Sequence, residues 1–227
     1  MPASHEGSGV DVEGIAEAVR DELGSVHAAR EAGLAACRRT IRLAGSAIRA
    51  VHRHQPERAV DLTAQCGAAL REAQAALLDY PMVAHAGFLF DAEKEYVEAV
   101  LTAALVAAEP LADARALQVG LAAWLNGMAE AASELRRHLL DLLRQGRLGD
   151  AEMLLEAMDD IYDLLVGVDF PDAITGGLRR RTDALRAVLE RTRSDLTTTT
   201  LQYRLQAALE GGLEGDRPGR AAPGTLT

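Results

Sequence analysis

Helical periodicity is the feature of this chain that most restricts its fold. Apolar residues recur at every third or fourth position along most of the 227 residues, the spacing that places them on one face of an α-helix. No segment shows the sustained two-residue alternation of a half-buried strand. The pattern therefore predicts an all-α protein.

Prolines divide the pattern into separate helices. Gln55-Pro56, Tyr80-Pro81 and Glu109-Pro110 each mark a break, because proline ends one helix and is tolerated in the first turn of the next. The predicted helices cover 10–54 (one or two helices), 56–79, 81–108, 115–145, 150–166 and 177–210. We expect a single domain at 10–210, a bundle of about six to seven long antiparallel helices, between a flexible tail at 1–9 and a disordered tail at 211–227.

The composition is typical of a helical core, and the sequence also indicates the expected cellular location. The chain is 48% hydrophobic but only 4% aromatic, which favours helices that pack through alanine and leucine. The amino-terminal residues lack the basic start and apolar stretch of a secretory signal, and the longest uncharged apolar run, 99–108, is too short to cross a bilayer. We therefore expect a cytoplasmic protein with no membrane partner. Cys37 and Cys66 show no metal-finger spacing and are predicted to be core residues.

The charge distribution limits how this chain could bind nucleic acid. Its formal net charge of −10 argues against non-specific binding through bulk electrostatics. A local basic surface remains compatible with an acidic total, because local potential steers a ligand. Arg179, Arg180 and Arg181 lie in the first turns of the last predicted helix, where cations oppose the helix dipole. This placement favours an incoming anion, and a solvated arginine run is the alternative.

Carboxylates are concentrated on two of the predicted helices. Asp91, Glu95 and Glu98 follow the spacing i, i+4 and i+7, so they share one side of a helix and repel one another. A divalent cation would compensate that repulsion, whereas a solvated acidic face would need no ion. On the next helix Glu130 and Glu134 lie away from the apolar stripe, which comprises Leu121, Leu125, Met128, Ala132, Leu135, Leu139 and Leu142. The acidic side chains are thus expected to face water or a cavity.

Three segments resemble the translin family. Glu95-Tyr-Val-Glu-Ala99 is similar to the Glu-Tyr-Val-Glu-Ala motif of its catalytic branch, translin-associated factor X (Trax). The segment 124–136 is similar to the family's aromatic-Leu-x-Gly…Glu-Leu-x-Arg pattern, and 178–185 resembles its Leu-Arg-Lys-Arg-Tyr-Asp-x-Leu stretch. The order and approximate spacing of the segments agree with the family. The resemblance implies a translin-like bundle that binds single-stranded nucleic acid and assembles into a homo-oligomer, a closed ring or shell.

The resemblance also assigns roles to the carboxylates. Glu95, Glu98 and Glu130 match the catalytic and metal-binding carboxylates of Trax, with glutamate at 130 where the family pattern has aspartate. The implied cofactor is Mg²⁺ or Mn²⁺, and the implied activity is a metal-dependent endoribonuclease acting on single-stranded RNA. Asp91 and Glu134 are expected to support these ligands from the surrounding positions.

Further residues are expected to contact the nucleic acid. His85 matches the histidine of a His-Trp-Arg run in translin, although Ala86 and Gly87 replace the other two residues. We expect His85 to contact phosphate together with Arg179, Arg180 and Arg181, and a plain surface histidine is the alternative. Single-stranded RNA is the expected partner and single-stranded DNA the second candidate. Two other functions stay open: a translin-like binding protein without catalysis, and a helical interaction protein with no nucleic-acid ligand.

Overall fold

Helices make up all the regular secondary structure in the part of the chain that the structure, a computed structural model, describes: the backbone from 11 to 215 and the side chains from 11 to 210. This confirms the predicted all-α class. The helices are α1 (Val12–His52), α2 (Pro56–Leu77), α3 (Pro81–Ala84), α4 (Phe88–Val106), α5 (Leu121–Arg144), α6 (Leu148–Val166), α7 (Asp172–Thr175) and α8 (Leu178–Gly215). Six of them are long. The predicted tail at 1–9 and residues 216–227 lie outside the described range, and α8 continues past its predicted end at 210.

Two predicted helices differ from those observed, one by an interruption and one by a later start. The predicted helix 81–108 is interrupted after α3, because Gly87 adopts φ 99°, a left-handed conformation that only glycine reaches without strain. The predicted helix 115–145 begins instead at Leu121. The residues before it form a turn in which the Asp113 carboxylate accepts a hydrogen bond from the Ala116 amide at 2.7 Å.

Helix α5 lies at the centre of the bundle. It packs against α4, α6 and α8, while α1 pairs along α2 and also contacts α4. Most of the predicted apolar stripe of α5 is buried in the main core, except Leu121, which is exposed. The buried members are Leu125, Met128, Ala132, Leu135, Leu139 and Leu142. Each fully buried leucine contributes up to about 3 kcal/mol, so α5 anchors the arrangement of its neighbours.

Two long helices carry apolar residues that no other part of the described chain covers. In α1 the first buried residue is Gly33, and the preceding turns expose Val12, Ile15, Val19 and Leu23, here called the α1 stripe. In α8 the residues after Leu196 expose Leu201, Leu205 and Leu209, here called the α8 stripe. The members of each stripe are three or four residues apart and therefore share one helix face. None of the described helices combines the length and hydropathy needed to cross a membrane.

Candidate functional site at the carboxylate cluster

Gly127 allows α4 and α5 to approach closely where the acidic residues lie. A Cβ atom at this position would come within 2.7 Å of the Lys94 carbonyl oxygen and of the Val97 side chain, so any larger residue would separate the helices. The close approach brings Glu130 of α5 next to Glu95 and Glu98 of α4. One carboxylate oxygen from each of the three lies within 4.8 Å of the others. We call these three residues the carboxylate cluster.

Lys94 neutralises part of this cluster. Its Nζ donates a hydrogen bond to Glu95 Oε1 at 2.9 Å and another to Glu130 Oε2. Burial by itself would lower the pKa of Lys94, but the hydrogen bonds to Glu130 and Glu95 outweigh it and hold the pKa above its ordinary value. The ammonium therefore stays charged between two carboxylates.

Arg181 holds the other oxygen of Glu130. Its Nη1 donates to Glu130 Oε1, and its Nε donates to Asn126 Oδ1 at 2.7 Å. Asn126 is fully buried and donates to the carbonyl oxygens of Ala122 and Thr175, each at 2.7 Å. Arg181 is thus fixed by a buried amide, and both oxygens of Glu130 face a cation.

Glu98 is the carboxylate of the cluster without a partner. Its residue is 9% exposed, and it makes no hydrogen bond or ion pair within the described residues. Burial, followed by repulsion from Glu130 and Glu95, raises the pKa of Glu98 to about 8, with Lys94 acting in the opposite direction. Of the two expected surroundings, water or a cavity, open water does not describe Glu98, because its side chain is largely buried between α4 and the Glu130 side of the site. A buried acidic side chain with no partner is a site that a cation would stabilise.

Glu134 and Asp91 differ in their relation to the cluster. Glu134 lies one turn after Glu130 and pairs with Nε2 of the buried His52, 2.7 Å from its Oε2. The hydrogen bond to His52 lowers the pKa of Glu134 even though burial opposes this shift. Asp91 is exposed and does not belong to the group of three. Only Glu134 is therefore placed beside the cluster with a fixed orientation.

Of the residues predicted to contact nucleic acid, three are exposed and Arg181 faces the carboxylate cluster. Arg179 and Arg180 are exposed in the first turn of α8, whereas Arg181 turns inward to Glu130. His85 is exposed at the end of α3. The structure brings Arg181 into the carboxylate cluster and leaves Arg179 and Arg180 free to meet a phosphate from solution.

Four residues outside the predicted site also determine its geometry and charge. Lys94, Asn126 and His52 pair with its charged groups, and Gly127 permits the close helix contact. A single lysine among many arginines was the only signal for Lys94. Two of the others carried weak signals, since His52 and His54 have metal-like spacing and Gly127 lies in the translin-like segment 124–136. Neither signal indicated the contacts that the structure shows, because the partners lie on distant segments.

The fold and site together define a class: all-helical proteins in which two adjacent helices enclose a cluster of carboxylates next to basic side chains. The chain is 33% identical to AfC3PO, with a TM-score of 0.76, over 82% of this chain and 97% of that one. AfC3PO in complex with duplex RNA gives a TM-score of 0.75 at the same identity, over 82% and 96%. NeC3PO without ligand, at 18% identity, shares the fold with a TM-score of 0.75 over 85% and 100%.

One further match is to a protein sequence. An uncharacterized protein of Methanocaldococcus jannaschii is 30% identical over 87 residues, 38% of this chain and 39% of that protein's length. No family model matches the chain. The 33% identity to AfC3PO extends over nearly all of that protein, and AfC3PO and NeC3PO are C3PO proteins of the translin family. This chain belongs to the translin family.

Proposed function

We propose that this protein is a nucleic-acid-binding endoribonuclease that cleaves single-stranded RNA at a divalent cation. The observation that carries the proposal is Glu98, which is nine-tenths buried beside Glu95 and Glu130 and has no partner among the described residues. A cluster of oxygen ligands alone suits a hard cation such as Mg²⁺ or Mn²⁺. The donor set therefore fits the cofactor that the resemblance to Trax implies.

The residues in and around the cluster would have different roles at such a site. Glu95, Glu98 and Glu130 would hold the ion, and His52 would keep Glu134 oriented beside them. Bound Mg²⁺ or Mn²⁺ supplies charge neutralisation at the scissile phosphate and lowers the pKa of an attacking water. Arg181 orients the Glu130 carboxylate, so the longer glutamate side chain at this position would still be presented in a single direction.

RNA as the ligand is supported by the complex of AfC3PO with duplex RNA. In this chain Arg179 and Arg180 are exposed, and arginine contacts phosphate through two parallel hydrogen bonds. His85 is also exposed and would add a further contact. Single-stranded RNA is the proposed substrate and single-stranded DNA a second candidate ligand. Comparing a single strand with its duplex is therefore part of the test.

The test is a cleavage assay on labelled single-stranded RNA and on the matching duplex, with Mg²⁺, Mn²⁺ or a chelator. Glu95→Gln and Glu98→Gln should each lower the cleavage rate at least about 100-fold, because a ligand to the cation is lost. RNA binding should persist in both. Glu152→Gln, an exposed carboxylate on α6, is the matched control and should cleave like the wild type.

Two results would contradict the nuclease proposal: no cleavage by the wild type with either ion, or full activity in Glu98→Gln. A binding protein without catalysis would then be the function. That alternative is favoured by one observation, the pairing of both Glu130 oxygens with Lys94 and Arg181. RNA binding without cleavage by the wild type would establish it.

We also propose that the protein assembles into a homo-oligomer, a closed ring or shell. The α1 and α8 stripes are apolar and uncovered, and a second copy would remove them from water. Leu23→Asp should reduce the molar mass measured by light scattering. Val60→Asp, at an exposed position on α2, should leave the mass unchanged. A wild-type monomer at micromolar concentration would refute this proposal.

A further inference from the structure

Lys94 is the only lysine in this chain, and it lies inside the carboxylate cluster. Its residue is 6% exposed, and its ammonium donates to Glu95 and Glu130, two of the three proposed ion ligands. A lysine ammonium is a compact point charge, and here it is surrounded by the oxygen atoms that a hard cation would use. The side chain is thus placed where it competes for those atoms.

We propose that Lys94 is a built-in counter-ion, which occupies the place of a cation between Glu95 and Glu130 in the ion-free protein and leaves when a divalent ion binds. This inference rests on the proposed function, because it concerns the same carboxylates. It assigns to Lys94 a regulatory role: the ammonium raises the ion concentration that the site requires.

The hydrogen-bond network indicates whether Lys94 or Arg181 moves away when the ion binds. An ion at Glu130 is repelled by the charges of Lys94 and Arg181, since one oxygen of the carboxylate faces each of them. Arg181 is held in addition by the buried Asn126. Lys94 has no acceptor other than Glu95 and Glu130 within the described residues. The ammonium on its flexible stem is therefore the group that moves.

The two carboxylates that Lys94 contacts are partly exposed. The side chains of Glu95 and Glu130 are 28% and 25% exposed, so the cluster is partly open to solvent on this side. A lysine side chain can keep its methylene groups against the protein and extend its charged end into water. Displacement thus requires a change of side-chain rotamer, and the backbone of α4 can stay as it is.

Because Lys94 is the only lysine in the chain, chemical modification of lysine measures its exposure directly. Wild-type protein is treated briefly with an amine-acetylating reagent, with and without saturating Mn²⁺, and acetylation of Lys94 is quantified by mass spectrometry. We expect acetylation to be slow in the chelated protein and about tenfold faster with Mn²⁺. Acetylation that stays slow while Mn²⁺ is bound would overturn the inference.

The second measurement is Mn²⁺ affinity by calorimetry. Lys94→Gln removes the competitor and should tighten Mn²⁺ binding by about 10- to 100-fold. This factor corresponds to the free energy of a hydrogen bond between charged groups. Arg58→Gln removes one positive charge from an exposed position on α2 and should leave the affinity unchanged.

The outcomes separate this inference from the proposed function. If wild type and Lys94→Gln bind Mn²⁺ equally, Lys94 is not a competitor, yet the metal site stands. If neither protein binds Mn²⁺, both the inference and the proposed metal site are wrong. Should Lys94→Gln fail to fold, the acetylation measurement on the wild type decides alone.

Discussion

Glu98→Gln should make the ion-free protein more stable at neutral and alkaline pH. Glu98 is nine-tenths buried and has no partner within the described residues, and its pKa is raised to about 8. A carboxyl whose pKa is raised by folding stabilises the native state at low pH, where it is protonated. That stabilisation is lost as the pH rises through the folded pKa, because the buried carboxylate must then ionise.

The size of the effect follows from the two pKa values. In the unfolded chain the carboxyl, with its ordinary pKa of 4.5, is ionised throughout the range from pH 6 to 8. In the folded protein it stays largely protonated up to about pH 8, so unfolding releases a proton throughout this range and becomes easier as the pH rises. At about 1.36 kcal/mol per pH unit, the wild type should lose about 2 kcal/mol of unfolding free energy between pH 6 and pH 8 through this group alone. The amide of Glu98→Gln does not titrate, so the variant should not show this loss.

Urea unfolding of both proteins with chelator present, from pH 5.5 to 8.5, measures the difference. His138, whose pKa is lowered mainly by burial, contributes equally to both proteins and cancels. Saturating Mn²⁺ should restore the wild type at pH 8 and have no effect on Glu98→Gln. The same pH dependence in both proteins would refute the assignment of Glu98 as the uncompensated carboxyl.

Three further predictions concern the surroundings of the cluster. Gly127→Ala should lower the free energy of unfolding by about 1–3 kcal/mol through overpacking of α4 against α5. The control Gly24→Ala, with open space around its Cβ, should raise the free energy of unfolding by about 0.5–1 kcal/mol. Urea unfolding measures both. His52→Ala should raise the pKa of Glu134, because the hydrogen bond that lowers it is lost; carbon NMR titration detects the shift. Glu130→Asp should bind Mn²⁺ more tightly in calorimetry if the shorter side chain releases Lys94, and an unchanged affinity would show that Lys94 follows the carboxylate.

The sequence predicted the helices well where local signals determine them. Pro56 and Pro81 begin α2 and α3 as expected, because proline acts through its own ring and its missing amide. The interruption before α4 was missed, since the left-handed conformation of Gly87 depends on how the chain turns between packed helices. Helical periodicity cannot distinguish such a break from a continuous helix.

The cluster itself could be predicted only in part, for a physical reason. Glu95 and Glu98 are close in sequence, so the helical repeat already places them near each other. Their charge balance depends on the contact of Lys94 with Glu130, 36 residues away, and on that of Glu130 with Arg181, a further 51 residues away, and no local pattern encodes these distances. The same limit explains why the sequence predicts a single phosphate-binding surface from three adjacent arginines. Successive residues of a helix point about 100° apart, so Arg181 can face Glu130 while Arg179 and Arg180 face solvent. A run of like charges at a helix start therefore predicts that basic residues lie there. Which of them turns inward to neutralise a buried carboxylate depends on the neighbouring helix.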